Sequence, residues 1–173
     1  TIKPDQRAYL DTFLKRGGGI VVIHDAVCGT DPQWFKTIVG GAWEHRHSKW
    51  QEGEVGIYYL EKEHPITRGV SNFEFKDEIY YDLHLMPEAR ILASSFHSVF
   101  NIAPQMWVYE KGNYRAFVCL QGHEYASFNL PHFRALLLRG IAWAGKRDAD
   151  LLVNKEELAS LTYPEGGPTA PEK

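Results

Sequence analysis

The chain has 173 residues, 44% of them hydrophobic, which is enough for one globular domain with a substantial core. Its formal net charge of −3, without any run of Lys or Arg, argues against nucleic acid as a partner. No apolar stretch approaches the ~20 residues that a membrane span needs, so we expect no membrane insertion.

The first 41 residues predict a helix, a buried strand and a second helix. Pro4 suits the first turn of a helix and Gly17 its end. Residues 20–23 form an apolar run typical of a buried strand, and Asp31-Pro32 is an N-cap followed by a first-turn proline for a helix that stops at Gly40-Gly41. This order is the unit of a parallel sheet and predicts an α/β fold.

The remainder predicts further strands and one long helix. Alternating residues at 54–59 indicate a strand with one exposed face, and residues 91–93 a short buried strand. Residues 105–109 and 114–120 are separated by a turn sequence and predict a hairpin. Pro131 opens a helix that Gly145 ends, and a short helix is expected at 154–161.

Both ends of the chain suggest a piece of a larger protein. A helix that feeds a central strand normally follows earlier βα elements, which we expect to be missing here. Residues 162–171 are rich in Pro and Gly and are typical of a linker. We therefore expect an α/β domain over residues 1–150 and a short helix and linker over 151–173, leading to a further domain.

Polar residues follow two of the predicted strands. His24 and Asp25 come directly after residues 20–23, and Gly122, His123 and Glu124 follow the strand that ends near Leu120. Ligands of α/β sheets bind at the carboxyl ends of strands. If these strands are parallel neighbours, the two corners face one crevice and form a site. The alternative is that His24 only caps a loop.

Two further motifs carry candidate chemistry. His45 and His47 are two apart, and in an extended segment they would project to the same side and could share a metal with Asp25, Glu78, His24 or His123; a surface loop is the alternative. Asp77-Glu78 beside Tyr80 offers carboxylates for acid/base work, or else a solvated turn. No Gly-rich phosphate loop or serine nucleophile motif is present, and Cys28 lies away from the first turn.

A set of weak motifs occurs in a fixed order along the chain up to about Arg147. The set comprises residues 17–21 with His24-Asp25-Ala26, Trp34 through Trp43 with His45, residues 64–67 with Gly69, Phe73 with Asp77-Glu78 and Tyr80, Pro104 with Trp107, Gly122-His123, and Leu137 through Gly145. In this order they resemble the ThuA-like (trehalose utilisation) family, which is similar in fold to class I glutamine amidotransferases.

The resemblance implies a flavodoxin-like, three-layer sandwich with a mostly parallel sheet. It also implies that the chain is not a glutaminase, because His24-Asp25 stands where the amidotransferases have their nucleophilic cysteine. The family's association with trehalose and 3-keto-glycosides implies a carbohydrate substrate. Larger relatives carry dehydrogenase-like or haem-binding domains and are often exported, so a linked domain of this kind and a periplasmic location are expected from the resemblance alone.

These observations leave two main hypotheses. In the first, the domain is an enzyme that isomerises, eliminates or hydrolyses a sugar by acid/base chemistry, with His24, Asp25, Glu78 and His123 as catalytic residues. In the second, it is a non-catalytic carbohydrate-binding or assembly module of a larger oxidoreductase; a scaffold that forms a homo-oligomer is a weaker third reading. No cofactor is assigned, and a divalent metal stays open. The residues expected to bind the sugar are His45, Trp43, Tyr80, Trp107, Gly122 and Glu124.

Overall fold

The computed structural model describes residues 2–98 and 101–162. The predicted linker beyond Thr162 lies outside these residues. The order of elements at the start of the chain is the predicted one: helix α1 (Pro4–Lys15), strand β1 (Gly19–Ile23) and helix α2 (Pro32–Val39). Asp31 caps α2 by accepting a hydrogen bond from the Trp34 N–H (3.0 Å), and Gly40 ends it in the left-handed region with φ 83°.

The strands form one six-stranded sheet and one two-stranded sheet. After β1 they are β2 (Gly41–Ala42), β3 (Lys49–Tyr59), β4 (Phe73–Tyr81), β5 (His84–Leu85), β6 (Arg90–Ser98), β7 (Asn101–Lys111) and β8 (Tyr114–Cys119). The large sheet has the order β1-β8-β7-β6-β3-β4, and β2 pairs with β5. The β7–β8 hairpin was predicted, whereas β3 begins earlier than predicted and β4 takes the place of the solvated turn considered for residues 77–81.

The expectation of a mostly parallel sheet needs correction. Apart from an isolated parallel bridge between Cys28 and Trp43, only β1 and β8 pair in parallel among the described strands, and the other four neighbouring pairs of the large sheet are antiparallel. The reason is local: β3 to β8 are connected without intervening crossover helices, and strands joined by such short connections pair antiparallel. The helix-strand-helix pattern that predicted parallel pairing covers only the first part of the chain.

Helices cover both faces of the large sheet, as the three-layer architecture requires. Helix α3 (Pro131–Ala144) packs on one face, where Phe133 and Leu136 join Phe117 of β8 in one core cluster. Helices α1 and α2 lie on the other face, where Leu14 and Val39 share a second cluster with the β strands. A 3₁₀ turn (Ala149–Leu152) and helix α4 (Lys155–Ser160) follow α3.

The sheet curls so that its last strand returns toward its first. Although β4 is at the far edge from β1, the Gln105 side chain of β7 bonds to the backbone of Tyr80 on β4. Its Nε2 donates to the Tyr80 carbonyl (2.7 Å), and its Oε1 accepts from Gln121 Nε2 (3.0 Å). This buried amide pair ties β4 to the end of β8.

Buried His64 makes the stability of the fold sensitive to acid. Its Nδ1 accepts a hydrogen bond from the Ile66 N–H (3.3 Å), and burial, with a smaller contribution from the positive charge of Arg90, lowers the pKa of His64 to about 4. The unfolded chain, with a histidine pKa near ~6.5, then gains a proton that the folded chain does not. The stabilising effect is present above pH ~6.5 and is lost as the pH falls toward 4.

We therefore expect the wild-type protein to lose about 1–2 kcal/mol more of its free energy of unfolding between pH 7 and pH 5 than a His64→Gln variant loses. Urea unfolding at the two pH values measures the difference. His97→Gln, at a histidine outside the core, is the matched control and should keep the wild-type pH dependence. Equal losses in wild type and His64→Gln would contradict the assignment.

Candidate active site

The two polar corners meet at the carboxyl ends of β1 and β8. The strands are parallel neighbours, with Ile23 opposite Cys119 at their last pair. His24 follows β1 directly, and His123 lies in the loop after β8. His24 Nε2 is 3.3 Å from His123 Nδ1, so residues 99 positions apart in the sequence share one site. The two histidines therefore face one crevice, as the sequence pattern predicted for parallel neighbouring strands.

A strained backbone and a buried carbonyl fix the orientation of His24. Its φ of 49° lies in the left-handed region, which a residue with a Cβ rarely adopts and which is typical of functional turns. Its Nδ1 lies 3.0 Å from the Leu120 carbonyl oxygen. Since a carbonyl only accepts, Nδ1 carries the proton and donates it, and the Nε2 lone pair of the neutral ring points into the site.

Glu78 of β4 completes a three-residue cluster with the two histidines. Its Oε2 is 3.3 Å from His24 Nε2 and 3.2 Å from His123 Nδ1. The Glu78 side chain is only 7% exposed. Burial raises the pKa of Glu78, and the two neighbouring histidines oppose that rise. A buried carboxylate with a raised pKa beside two imidazoles is typical of catalytic sites.

Glu52 is a member of the site that the sequence did not reveal. It lies directly opposite Glu78 in the β3–β4 ladder, and its Oε1 is 3.1 Å from His123 Nε2. The His123 ring therefore lies between two carboxylates, one exposed and one buried. Alternating charged residues at 52 and 54 suggest only a solvated face, and the register that pairs Glu52 with Glu78 became visible only in the folded sheet.

Asp77 holds the loop that carries His123. This carboxylate is buried, and its Oδ1 accepts from the backbone N–H groups of Glu78 (2.7 Å), Gly122 (3.0 Å) and His123 (3.1 Å). Its Oδ2 accepts from the Ser127 hydroxyl. Gly122 has a φ of 128°, which favours glycine, and this turns its N–H toward Asp77. Sequence analysis singled out Asp77 as half of a carboxylate pair and missed this positioning role.

Tyr80 and Asp25 form the adjoining wall of the site. The Tyr80 hydroxyl donates to Asp25 Oδ1 (2.7 Å) and lies 3.4 Å from His24 Nε2. Burial, then this hydrogen bond to Asp25, raises the pKa of Tyr80, so the phenol stays protonated. The Asp25 side chain is 80% exposed and is accessible to a ligand. Trp43 packs edge-on against Tyr80, with ring centroids 4.9 Å apart, and forms the floor beneath it.

Other expected site residues lie outside this cluster. Trp107 is fully buried and donates its Nε1–H to the Val39 carbonyl (2.8 Å), so no face of its ring can stack on a ligand. Glu124, expected to bind the sugar, instead forms an ion pair with Lys76 (2.9 Å), and this contact lowers the pKa of Glu124.

The His45 and His47 pair does not have the extended geometry expected for shared metal ligation. Residues 45–47 form a turn in which Arg46 has a φ of 70°, and both histidines are exposed. His47 stacks on His84 with ring centroids 4.6 Å apart. Within residues 2–98 and 101–162, the group of side chains placed to hold a metal ion is instead His24, Glu78 and His123.

Cys28 does not supply the nucleophile that the site otherwise lacks. Burial, reinforced by the nearby carboxylates Asp25 and Glu78, raises the pKa of this thiol to about 11. The reactive thiolate is therefore a small fraction at neutral pH. Proton transfer or polarisation of a bound ligand is the chemistry that the remaining groups can perform.

Comparisons with known proteins agree with the architecture. A ThuA-like protein from Parabacteroides merdae ATCC 43184 superposes with a TM-score of 0.69 at 20% identity, over 82% of this chain and 65% of that protein. One from Bacteroides uniformis ATCC 8492 gives 0.68 at 20% identity, over 87% and 69%. A beta-galactosidase from Bacillus circulans sp. alkalophilus gives 0.51 at 16% identity, over 83% of this chain and 20% of that enzyme.

At these identities the likeness concerns the fold. The chain spans 65% of the length of the Parabacteroides protein. A search of curated proteins found no match to the sequence. In the part of the chain that the structure describes, no helix has the length and apolar character for crossing a membrane.

The sequence itself identifies the family. The model of the ThuA family, described as trehalose utilisation, matches residues 1–144. This range contains β1 to β8, helices α1 to α3 and every residue of the site described above. The chain therefore belongs to the ThuA, or trehalose utilisation, family.

Proposed function

We propose that this domain is an enzyme that acts on a sugar or 3-keto-glycoside, with the cluster of Glu78, His24 and His123 as its reaction centre. The observation that carries the proposal is the mutual approach of these three groups to 3.2–3.3 Å beside the exposed Asp25 carboxylate. Titratable groups that crowd together at the strand ends of a sheet are candidates for a functional site. The family's description as trehalose utilisation supports a carbohydrate substrate.

Each group has a distinct role in the proposed chemistry. A ketone beside a sugar C–H makes that hydrogen acidic, so isomerisation or elimination needs a base and a proton donor and no covalent nucleophile. His123 is 43% exposed and lies within reach of a bound ligand, with Glu78 beneath it. The Asp25 carboxylate, 80% exposed, can exchange a proton with that ligand. The protonated Tyr80 hydroxyl keeps Asp25 oriented at the exposed side. Hydrolysis through an activated water is the close variant.

The alternative of a non-catalytic carbohydrate-binding module has less support. Such a module binds sugar rings on exposed aromatic surfaces. The rings expected to serve that purpose, Trp43, Tyr80 and Trp107, are 9%, 3% and 0% exposed. The accessible groups of the site are carboxylates and imidazoles, which favours proton transfer and hydrogen bonding to hydroxyl groups over ring stacking.

Replacing His123 by glutamine tests the proposal. In the full-length natural protein we expect the turnover of a 3-keto-glycoside to fall at least ~100-fold, because the acid–base centre loses one of its three groups, with the fold retained. Progress curves with a panel of keto-sugars measure it, and His97→Gln is the matched control. Unchanged turnover in the His123 variant would remove this residue from the mechanism, and sugar binding by the wild type without any turnover would favour the binding module.

A further inference from the structure

Three lone pairs converge at the centre of the site. Nδ1 of His24 donates to the Leu120 carbonyl, so its Nε2 carries a lone pair. Nε2 of His123 faces the Glu52 carboxylate at 3.1 Å, which also only accepts, so Nδ1 of the neutral His123 carries a lone pair as well. Both nitrogens face Glu78 Oε2. Three acceptors at this separation repel one another unless a proton or a metal ion lies among them.

The neighbouring hydroxyl does not supply the missing proton. Tyr80 lies 3.4 Å from His24 Nε2, but its hydroxyl makes the shorter bond, 2.7 Å, to Asp25. One extra proton on His123 Nδ1 could bond well to either Glu78 or His24 and would leave the other lone pair unsatisfied. A metal ion satisfies all three atoms at once.

The triangle formed by the three atoms has the dimensions of one face of a coordination polyhedron. Its sides are 3.3, 3.2 and 3.3 Å. For an ion about 2.1 Å from each atom, these sides correspond to ligand–metal–ligand angles of about 100°, between octahedral and tetrahedral values. Such an ion lies out of the plane of the three atoms and keeps its remaining positions open.

The groups behind the ligands are those that metal-binding histidines require. A metal-ligating histidine donates its second ring nitrogen to a carbonyl or a carboxylate, and here Leu120 and Glu52 accept from the two rings. Asp77 fixes the loop backbone that carries His123. Neither the ligands nor these outer contacts involve the histidine pair at positions 45 and 47.

We propose that His24 Nε2, Glu78 Oε2 and His123 Nδ1 bind one divalent first-row transition-metal ion. Two imidazole nitrogens and one carboxylate oxygen suit Zn²⁺, Mn²⁺ or Fe²⁺, and they are poor ligands for Ca²⁺, which prefers oxygen. The open positions fit the adjacent carbonyl and hydroxyl oxygens of a keto-sugar, which the ion would polarise. This last step rests on the proposed function, whereas ion binding does not.

Metal titration of the full-length protein, freed of metal by a chelator, tests the inference. We expect calorimetry to give one Zn²⁺ or Mn²⁺ per chain. Removing a residue that only hydrogen-bonds to a metal ligand weakens metal binding by about 10–100-fold. Removing a ligand itself should cost more, so His24→Gln, Glu78→Gln and His123→Gln are each expected to lose at least ~100-fold in affinity. Glu52→Gln should lose about tenfold. His47→Gln, at the position that the sequence motif favoured, should bind like the wild type.

The outcomes separate the ion from the reaction. Thermal melting of the metal-free proteins is the control for folding. If a variant melts at the same temperature as the metal-free wild type, its loss of affinity is not a loss of fold. Absence of stoichiometric binding in the wild type, or wild-type affinity in Glu78→Gln, would overturn the inference. Turnover of a keto-sugar by a wild-type protein that binds no ion would overturn the inference and leave the proposed function intact, whereas one bound ion without any turnover would support it and contradict the proposed function.

Discussion

Replacing Asp77 by alanine is expected to lower the free energy of unfolding by about 3–5 kcal/mol and to release the loop that carries His123. The carboxylate accepts three backbone N–H groups and the Ser127 hydroxyl, and alanine leaves all four donors without it. Each donor left unpaired in a buried position costs about 1–3 kcal/mol, and partial hydration of the loop reduces the sum. The site should lose its geometry together with the stability.

Urea unfolding, together with the assay for keto-sugar turnover, measures the two effects. Asp77→Asn is the graded variant: its Oδ1 still accepts from the backbone, while its amide replaces the oxygen that accepts from Ser127, so we expect about half of the alanine effect. Ser127→Ala removes one donor and should cost about 1 kcal/mol. If Asp77→Ala unfolds at the wild-type urea concentration, Asp77 does not hold the loop.

Gly140→Ala is the second substitution for which we expect a large effect, a loss of about 2–4 kcal/mol. In an open helix this change stabilises by ~1 kcal/mol. Gly140 lies in α3 directly over β8, and a Cβ there would lie 2.0 Å from Cε1 of Phe117. Phe117 is fully buried, so its ring cannot move aside without displacing the core between helix and sheet.

Thermal or urea unfolding tests this prediction, with Gly145→Ala as the control. Gly145 follows the same helix, and the nearest atom to a Cβ there is 3.4 Å away, so that variant should unfold near the wild type. Adding Phe117→Leu to Gly140→Ala should recover part of the loss, because the smaller side chain relieves the overlap. A Gly140→Ala protein as stable as the wild type would show that helix and sheet are not held at this distance.

Local sequence signals predicted the helices and the hairpin because they act within a few residues. Pro4, Asp31 and Pro131 start helices through capping and proline geometry, and Gly40 ends one through its left-handed backbone. The apolar run before His24 gave β1 for the same reason. The β7–β8 hairpin follows from two apolar segments and a turn.

Sequence named all three residues of the cluster as catalytic candidates, but only for the two histidines did it give a reason for them to meet. His24 and His123 could be placed together because the ends of neighbouring parallel strands are at the same edge of a sheet. It did not exclude Trp107 from the site, since an aromatic residue in a strand points toward the core or the surface according to a register that composition does not specify.

The sequence by itself determined the α/β class, the helix boundaries and the two polar corners, because hydrophobic periodicity and capping are local properties of the chain. Only the tertiary structure decided the antiparallel pairing of β3 to β8 and brought Glu78 and Glu52 to His123. Those carboxylates belong to strands at the far edge of the sheet from β1. They reach the histidines because the sheet curls and the Gln105 amide ties β4 to the centre, and curvature of a sheet depends on contacts between distant residues that no local pattern records.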